Sequence, residues 1–329
     1  MKTKDKVLRA LLNHREEELS GQTMADHLGV SRNAVWAAVK TLQKEGVPIR
    51  ALPNKGYRLP TTYDPLQASY FKKTLVESAP LWVYPTVDST NDQLKNLARA
   101  GALHGSAVLA DHQSAGKGRM GRSFYSPALT GLYVSVLLKP DPSFQVGLNT
   151  TLKAAVLAAR CLEKYGAPPI GVKWVNDLYT SHGKVAGILT EATINMENGM
   201  VDTVVVGVGI NLLPPAGGFP EDIASHAAAL FSPDHYQPIK NPLAQDLVEA
   251  YRELLTEDQD HALLSEYRER SVVLGKEVLA TMGDRKIVGT VKAIRDDGAL
   301  VLERADGQLE NLMSAEVSLR GDFGFGSNR

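Results

Sequence analysis

The spacing of apolar residues changes twice along this chain of 329 residues, and each change indicates a different kind of local structure. Up to about residue 60 the apolar positions follow the period of short helices. From residue 66 to 270 strand-like runs alternate with helical runs, and after residue 271 short strand-like runs are separated by turns that contain glycine. A chain of this length with three patterns is predicted to form several domains.

The first 60 residues carry the signals of a helix-turn-helix followed by a hairpin. Ser20 and Ser31 are suitable N-caps for a second and a third helix, and Gly29 lies in the turn between these helices. A turn at Pro53–Gly56 then joins two short strands. Such a module can place its third helix in the major groove of DNA, with the hairpin as a wing. A helical module that binds protein is the alternative.

The distribution of charge favours DNA binding. Residues 1–60 contain 11 Lys/Arg and 6 Asp/Glu, a net charge of +5, whereas the rest of the chain carries −6. Binding to phosphates needs a local basic patch rather than a basic protein. We expect Trp36 to pack between helices rather than to contact a base. The candidate DNA contacts are Ser31, Arg32, Asn33, Lys40, Lys55 and Arg58.

The remaining patterns predict an α+β protein with a central mixed α/β domain and a small C-terminal β-barrel. In the central domain strands are expected at 81–84, 106–111, 131–139, 170–174, 185–192 and 200–208, and helices at 91–100, 149–165 and 242–255. Residues 213–220, rich in Pro and Gly, are expected to form a mobile loop. The barrel strands are expected at 276–281, 286–295, 300–303 and 308–312. The predicted domains span 1–62, 66–270 and 271–320, and a disordered tail spans 321–329.

Composition excludes several classes of protein. A single cysteine, Cys161, excludes an internal disulfide framework and a cysteine-based zinc cluster, and its apolar helical surroundings predict a buried structural thiol. The first residues lack the apolar stretch of a signal peptide, and no run reaches the roughly 20 apolar residues of a membrane span. We therefore expect a cytoplasmic protein with no membrane partner.

Two groups of cationic and polar residues indicate a site for an anionic ligand. The segment Gly116–Arg122 combines glycines, which let a backbone approach a ligand closely, with three basic residues that suit phosphates or a carboxylate. Its spacing does not match a Walker loop. The segments Lys173–Asp177 and Lys184–Leu189 add two lysines, an amide and a carboxylate at strand ends. Joining a carboxylate to an α-phosphate needs such cations, because the two anions repel each other. An exposed turn and a surface salt-bridge network are the alternatives.

In combination these segments resemble the biotin protein ligases over roughly residues 4–320. The matching segments are Asp88–Asn91, Gln113, Gly116–Arg122, Lys173–Asp177, Lys184–Leu189 and Gly207–Asn211. The helix-turn-helix resembles that of family members that repress biotin synthesis genes, and the C-terminal segment also matches the family. Lys117 stands where the family has the first arginine of its Gly-Arg-Gly-Arg loop, which keeps the charge but loses a planar bidentate contact.

The resemblance implies a set of site residues by their positions. Lys184, Arg119 and Asp177 would carry catalysis, and Asp177 would orient Mg²⁺ or accept a proton. The implied biotin contacts are Ser89, Thr90, Asn91, Gln113, Lys117, Gly118, Arg119 and Lys184. The implied ATP or adenylate contacts are Arg122, Phe124, Lys173, Asn176 and Asn211, with Phe124 stacked on adenine.

The function that the resemblance implies is a ligase with two steps. Biotin and MgATP would give biotinyl-5′-AMP, and a lysine of the biotin carboxyl carrier protein would then take up the biotinyl group. Biotin, ATP and Mg²⁺ are the expected small molecules, and no tightly bound prosthetic group is expected. An adenylate-bound homodimer would bind the operator DNA of biotin synthesis and transport genes. A lipoate-type ligase and a catalytically inactive, biotin-sensing regulator are the alternatives.

Overall fold

The computed structural model describes residues 2–71, 79–141, 147–197, 199–255 and 260–319, which form two compact units. The first unit contains the residues up to 65 together with 234–238, and the second contains the rest. The predicted tail at 321–329 lies outside the described residues. No helix in the described ranges combines the length and the hydropathy that a membrane span requires.

The first unit consists of three helices and a hairpin. These elements are α1 (Thr3–Asn13), α2 (Gly21–Leu28), α3 (Arg32–Lys44), β1 (Arg50–Leu52) and β2 (Gly56–Arg58). The hydroxyls of Ser20 and Ser31 cap α2 and α3 by accepting a backbone N–H three residues further on, and Gly29 ends α2 in the left-handed conformation. Apolar side chains that include Leu11 and Val35 form its core. The predicted helix-turn-helix and hairpin are confirmed.

Trp36 lies on the outside of α3, so the prediction that it packs between helices is wrong. Trp36 is 57% exposed, whereas its neighbour Val35 is fully buried. The apolar face of α3 is already completed by Val35, Ala38, Val39 and Leu42. Successive residues of a helix point about 100° apart, so a large aromatic residue next to a core position can face solvent.

A seven-stranded sheet forms the centre of the second unit. Its strands are β3 (Leu81–Tyr84), β4 (Ala107–Ala110), β5 (Gly131–Leu138), β6 (Gly171–Lys173), β7 (Asp177–Thr180), β8 (Gly183–Ile194) and β9 (Val201–Asn211). The order is β3-β4-β5-β9-β8-β7-β6, in which β3 and β4 are parallel and the other neighbours antiparallel. Every residue of β5 is buried, because both faces of this central strand are covered. The six predicted strands are present, and β7 is an addition.

The described part of the second unit contains six α-helices. The six are α4 (Ala68–Phe71), α5 (Thr90–Arg99), α6 (Leu148–Lys164), α7 (Glu221–Ala224), α8 (Lys240–Arg252) and α9 (Asp260–Glu269). Four of them, α4, α5, α6 and α8, pack against this sheet. Helix α5 packs on β4, β5 and β9, whereas α6 packs on β8, α8 and α9. The three predicted helices correspond to α5, α6 and α8. Residues 213–220 contain neither helix nor strand, as predicted, and their mobility stays a prediction.

The thiol of Cys161 is buried in α6, as its apolar surroundings predicted. Burial raises the pKa of this thiol to about 12. The thiolate is the nucleophilic form of cysteine, so a thiol with this pKa is unsuited to nucleophilic catalysis near neutral pH.

The C-terminal part of the second unit is an antiparallel sheet of five strands. These are β10 (Glu277–Met282), β11 (Arg285–Ile294), β12 (Leu300–Glu303), β13 (Leu309–Leu312) and β14 (Glu316–Leu319), in the order β13-β12-β11-β10-β14. Four of these strands were predicted, and β14 was not. The outer strands β13 and β14 are not paired with each other in the described part of this sheet, so closure into a barrel is not confirmed.

Candidate active site

Two adjoining pockets lie beside the glycine-rich loop in the second unit. We call them the basic pocket and the polar pocket. The basic pocket is lined by the charged residues Lys117, Arg119, Arg122, Lys173, Asp177, Lys184 and Glu316, and by residues that include Gly118 and Asn176. The polar pocket is lined by Ser89, Thr90, Asn91, Gln113, Gly207 and Gly209, among others. Both linings include Lys117, Phe124, Gly187 and Leu189.

The loop Gly116–Arg122 folds as a tight turn between β4 and β5. The backbone N–H of Gly118 donates to the carbonyl oxygen of Arg122 at 2.8 Å. Gly116 has no room for a side chain, because a Cβ there would lie 2.5 Å from the carbonyl oxygen of Phe124. The glycine therefore permits a close turn that brings the basic side chains of the loop to the pocket.

An ion pair between Lys184 and Asp177 lies in the basic pocket. Asp177 begins β7 and Lys184 is the second residue of β8, so the antiparallel hairpin brings the two side chains together. Their Nζ and Oδ1 atoms are 2.6 Å apart, and both side chains are about three-quarters buried. Gly187, which is paired with Asp177 in the hairpin, also lines the pocket. Two of the predicted catalytic residues are thus in direct contact.

Arg119 and Lys173 are cations that are partly removed from water. Burial lowers the pKa of both side chains, and the negative charge of Asp177 opposes this shift in each case. Arg119 Nη1 is 3.5 Å from Asn176 Oδ1, at the long limit of a hydrogen bond, and Lys173 Nζ is 5.7 Å from the centre of the Tyr179 ring. An anionic ligand would compensate the lost hydration of these cations.

The C-terminal sheet supplies part of the basic pocket, which the sequence did not indicate. Glu316, the first residue of β14, forms a bidentate ion pair with Arg122, and hydrogen bonds from this arginine lower the pKa of Glu316. The hydroxyl of Ser314 lies 3.4 Å from a guanidinium nitrogen of Arg119. No local pattern in the sequence relates a residue near position 316 to a loop near position 120, because only tertiary packing joins them.

The polar pocket is built around the first turn of α5. Ser89 is the N-cap of this helix. The carboxamide oxygen of Gln113 accepts hydrogen bonds from the backbone N–H of Thr90 at 2.8 Å and from its hydroxyl at 3.1 Å. The nitrogen of the same carboxamide donates to the hydroxyl of Ser126 at 2.9 Å. The structure therefore brings three of the predicted biotin contacts together in a defined orientation.

Asn91 lines the polar pocket, but its amide group has protein partners. The nitrogen donates to a carboxylate oxygen of Glu191 at 2.8 Å, and the oxygen accepts from the hydroxyl of Ser135 at 2.6 Å. A Cβ on Gly207 would lie 2.2 Å from that amide oxygen, so this position needs a glycine. Asn91 orders the pocket wall, and its direct contact with biotin stays a prediction.

Of the predicted adenylate contacts Phe124 and Asn211, only Phe124 is among the described residues that line the pockets. Phe124 lines both pockets, and a Cβ on Gly209 would lie 2.5 Å from its ring, so the ring rests directly on β9. Asn211 is absent from the described linings of both pockets, and its side-chain nitrogen donates to the carbonyl oxygen of Ala228 at 3.1 Å. A contact of Asn211 with the adenylate therefore stays a prediction.

A resident metal site is not formed by the residues that the structure describes. Within the described ranges, no group of three or more His, Cys, Asp or Glu residues could hold a metal ion. Asp177 is a single carboxylate that is paired with Lys184. Mg²⁺ is a hard cation that is often bound by one or two carboxylates together with substrate phosphates, and a contact of Asp177 with this ion stays a prediction.

The predicted DNA contacts lie on the first unit. Ser31, Arg32, Asn33 and Lys40 are exposed at α3, although the hydroxyl of Ser31 also caps this helix. On the wing, Lys55 Nζ is 3.0 Å from a carboxylate oxygen of Glu18, and Arg58 forms an ion pair with Glu16. DNA phosphates would have to compete with these two carboxylates.

Comparison with known families divides the chain into three matched segments. Residues 3–58 match an HTH domain, residues 83–211 match the biotin/lipoate A/B protein ligase family, and residues 273–320 match the biotin protein ligase C-terminal domain. The bifunctional ligase/repressor BirA of Escherichia coli is 34% identical over 92% of this chain and 92% of its own length. BirA of Bacillus subtilis is 31% identical over 92% of this chain and 94% of its own length.

This chain belongs to the BirA family. The chain also resembles a solved structure, the biotin protein ligase of Aquifex aeolicus in complex with biotin and ATP. That protein is 28% identical, with a TM-score of 0.61, and the similarity covers 73% of this chain and 98% of the Aquifex chain. The match to BirA extends further along the present chain than the match to the Aquifex enzyme.

Proposed function

We propose that this chain is a biotin protein ligase that also represses transcription. It forms biotinyl-5′-AMP and pyrophosphate from biotin and MgATP, and then transfers the biotinyl group to a lysine of a biotin carboxyl carrier protein. The observation that supports this most is the junction of the two pockets at Lys117 and Phe124. An acid in the polar pocket can direct its carboxylate to a nucleotide in the basic pocket, and such positioning lowers the barrier to reaction.

The first step joins two anionic groups. Ser89, Thr90 and Gln113 bind the ureido ring of biotin or its surroundings. Arg119 and Lys184 hold the carboxylate and the α-phosphate, so that their positive charges offset the repulsion as charge develops. A carboxylate oxygen attacks the α-phosphorus, the bond to the β-phosphate oxygen breaks, and pyrophosphate leaves. Phe124 stacks on the adenine, while Lys173 and Arg122 screen the phosphates.

The second step is an acyl transfer. The lysine amine of the carrier attacks the carbonyl carbon of biotinyl-AMP, the acyl–phosphate bond breaks, and AMP leaves. We assign to Asp177, which lies 2.6 Å from Lys184, the roles of orienting that lysine and of accepting a proton from the incoming amine. The reaction needs no covalent intermediate on the enzyme, which agrees with the buried thiol of Cys161.

The first unit supplies the second activity. Its third helix reads operator DNA of biotin synthesis and transport genes, and the wing contacts the backbone. The loops at 116–122 and 213–220 become ordered when biotinyl-AMP binds, and this ordering supports a homodimer with higher operator affinity. We place both activities in the cytoplasm. Sedimentation with and without biotinyl-AMP tests the switch, and an unchanged dimer affinity would refute it.

The decisive experiment measures incorporation of labelled biotin into an isolated biotin carrier domain with MgATP. The Lys184→Ala variant should form biotinyl-AMP about 10²- to 10³-fold more slowly, because it loses a cation that stabilises developing charge. Lys164→Ala is a matched control, since Lys164 is 65% exposed, pairs with Asp246 and is not among the residues that line the two pockets.

Each outcome separates the candidate functions. Labelling that depends on biotin and is lost in Lys184→Ala supports the ligase. Labelling driven by lipoate instead would favour the lipoate-type ligase. Biotin binding without adenylate formation in the wild type would favour the regulator that lacks catalysis.

A further inference from the structure

Lys117 lies where the two pockets meet, and an acidic residue outside both pockets holds it there. Lys117 Nζ is 2.6 Å from Oδ2 of Asp92, which belongs to the first turn of α5. Asp92 is not among the residues that line either pocket in the described part of the chain. The contact therefore joins the glycine-rich loop to α5, a helix that packs on the central sheet.

Asp92 is itself held in place by a second ion pair. Its Oδ1 atom is 2.9 Å from Nζ of Lys95, and the same Nζ is 2.8 Å from a carboxylate oxygen of Glu191 on β8. The side chains of Asp92, Lys95 and Glu191 are each about one quarter exposed. Burial raises the pKa of Asp92, but hydrogen bonds from Lys117 and Lys95 outweigh it and keep this pKa below its usual value. Two lysines and two carboxylates thus form a network of ion pairs with no net charge that extends from the sheet to the loop.

We infer that Asp92 is a positioning residue that fixes Lys117 for an anionic group of the acyl-adenylate, an inference that rests on the proposed function. A lysine ammonium has three N–H donors, so Lys117 keeps donors for a ligand while it is paired with Asp92. A lysine also needs such a partner more than an arginine does. The lysine charge is compact and lies at the end of a flexible side chain, so binding of a ligand would order this side chain at a cost in entropy. An ion pair that already orders the side chain reduces that cost.

A purely structural ion pair would stabilise α5 without any effect on ligand retention. A positioning role and a purely structural role differ in whether the effect of an Asp92 substitution on ligand retention depends on Lys117. If Asp92 acts through Lys117, its neutralisation matters only when the lysine is present, and a double-mutant cycle measures this dependence.

The first test measures dissociation of preformed biotinyl-AMP from the full-length chain. Asp92→Asn should release the adenylate about fivefold faster than the wild type, as expected for a partly exposed charged pair. In a Lys117→Ala background the same substitution should add nothing. Asp246→Asn is the matched control, because Asp246 pairs with Lys164 at 2.7 Å and its side chain is 20% exposed, against 2.6 Å and 25% for Asp92. Equal release from wild type and Asp92→Asn, or equal effects in both backgrounds, would overturn the inference.

The second test needs no ligand and is independent of the proposed function. Trypsin should cut after Arg119 and Arg122 several-fold faster in Asp92→Asn than in the wild type or Asp246→Asn, because the loop loses its attachment to α5. Unchanged cleavage in the loop would contradict the inference even if the ligase is active. A wild-type protein that forms no adenylate would instead refute the proposed function, and the tryptic comparison would still decide whether Asp92 restrains the loop.

Discussion

The side chains of the basic pocket carry more positive than negative charge. Five cations line it, which are Lys117, Arg119, Arg122, Lys173 and Lys184, against the two carboxylates Asp177 and Glu316. Each carboxylate is paired with one cation of the lining. The excess positive charge is matched to a triphosphate or an adenylate, and it would disfavour a neutral ligand that leaves these cations partly desolvated.

The exposure of Trp36 suggests that this residue contacts DNA together with the predicted contacts on α3. It lies on the same face of α3 as Asn33 and Lys40, because these residues are three and four positions apart, and all three are exposed. We expect Trp36→Ala to weaken specific DNA binding by about 1–2 kcal/mol, through loss of an apolar contact with a base. Fluorescence anisotropy with a duplex selected from a random pool, in the presence of biotin and MgATP, measures this.

The control for Trp36→Ala is Thr41→Ala, which removes another exposed side chain of α3. That variant should bind the same duplex with unchanged affinity. If Trp36→Ala and Thr41→Ala both bind like the wild type, Trp36 is outside the DNA interface.

At the level of elements, a buried ion pair fixes the start of α8 against the sheet. Lys240 is fully buried, and its Nζ is 2.9 Å from Oδ1 of Asp111 at the end of β4. The other oxygen of this carboxylate accepts the backbone N–H of Leu66 at 3.0 Å. This ion pair thus joins the end of β4 to α8, a helix that lies more than a hundred residues later in the sequence. Asp111 itself lies immediately before the segment that leads to the glycine-rich loop.

Removal of this lysine should be costly. Lys240→Met leaves the carboxylate of Asp111 without its buried partner, and we expect a loss of about 3–5 kcal/mol in the free energy of unfolding. Urea denaturation followed by circular dichroism measures the loss. Lys164→Met, at an exposed ion pair, should cost less than about 1 kcal/mol. Asp111→Asn in the Lys240→Met background should recover part of the stability, and a further loss would contradict this account.

Across the whole molecule, many carboxylates are stabilised in their charged form. The pKa is lowered by cationic or N–H partners at Glu16, Asp92, Glu163, Glu266, Asp296 and Glu316. Arg270 joins two of them, Glu163 on α6 and Glu266 on α9, at 2.7 Å and 2.8 Å. Burial raises the pKa of both glutamates, but the hydrogen bonds from arginine outweigh it.

These shifts predict how stability depends on pH. The folded-state pKa of each glutamate lies below its unfolded value of about 4.3, so the unfolded chain binds protons first as the pH falls. The stabilisation is fully present above that value and is lost as the pH falls through the folded pKa. We expect urea midpoints that stay level between about pH 7 and 5 and then decrease below about pH 4. Arg270→Met should lower the midpoint at pH 7 and reduce this acid dependence, and an unchanged dependence would contradict it.

Elements with local signals could be predicted from the amino-acid sequence alone. Capping serines, a turn glycine and helical spacing predicted α2 and α3, and apolar runs between turn residues predicted six strands of the central sheet within a few residues. The glycine-rich loop and the lysines at strand ends also carry their chemistry in neighbouring residues, so a site for an anionic ligand could be predicted from these segments. The candidate biotin contacts Ser89, Thr90 and Gln113 followed only from the resemblance to the biotin protein ligases.

The contacts between these parts depend on tertiary packing and could not be predicted from the sequence. The tertiary structure placed Glu316 beside Arg122, paired Asp92 with Lys117, and left Asn211 outside the described pocket linings. Strand β14 and helix α9 were not predicted either. Each is a short segment that packs against an element far away in the sequence, β10 for the strand and α6 for the helix. Local conformational preferences are set by adjacent residues, whereas contacts across a sheet or between sheets depend on packing that no short segment encodes.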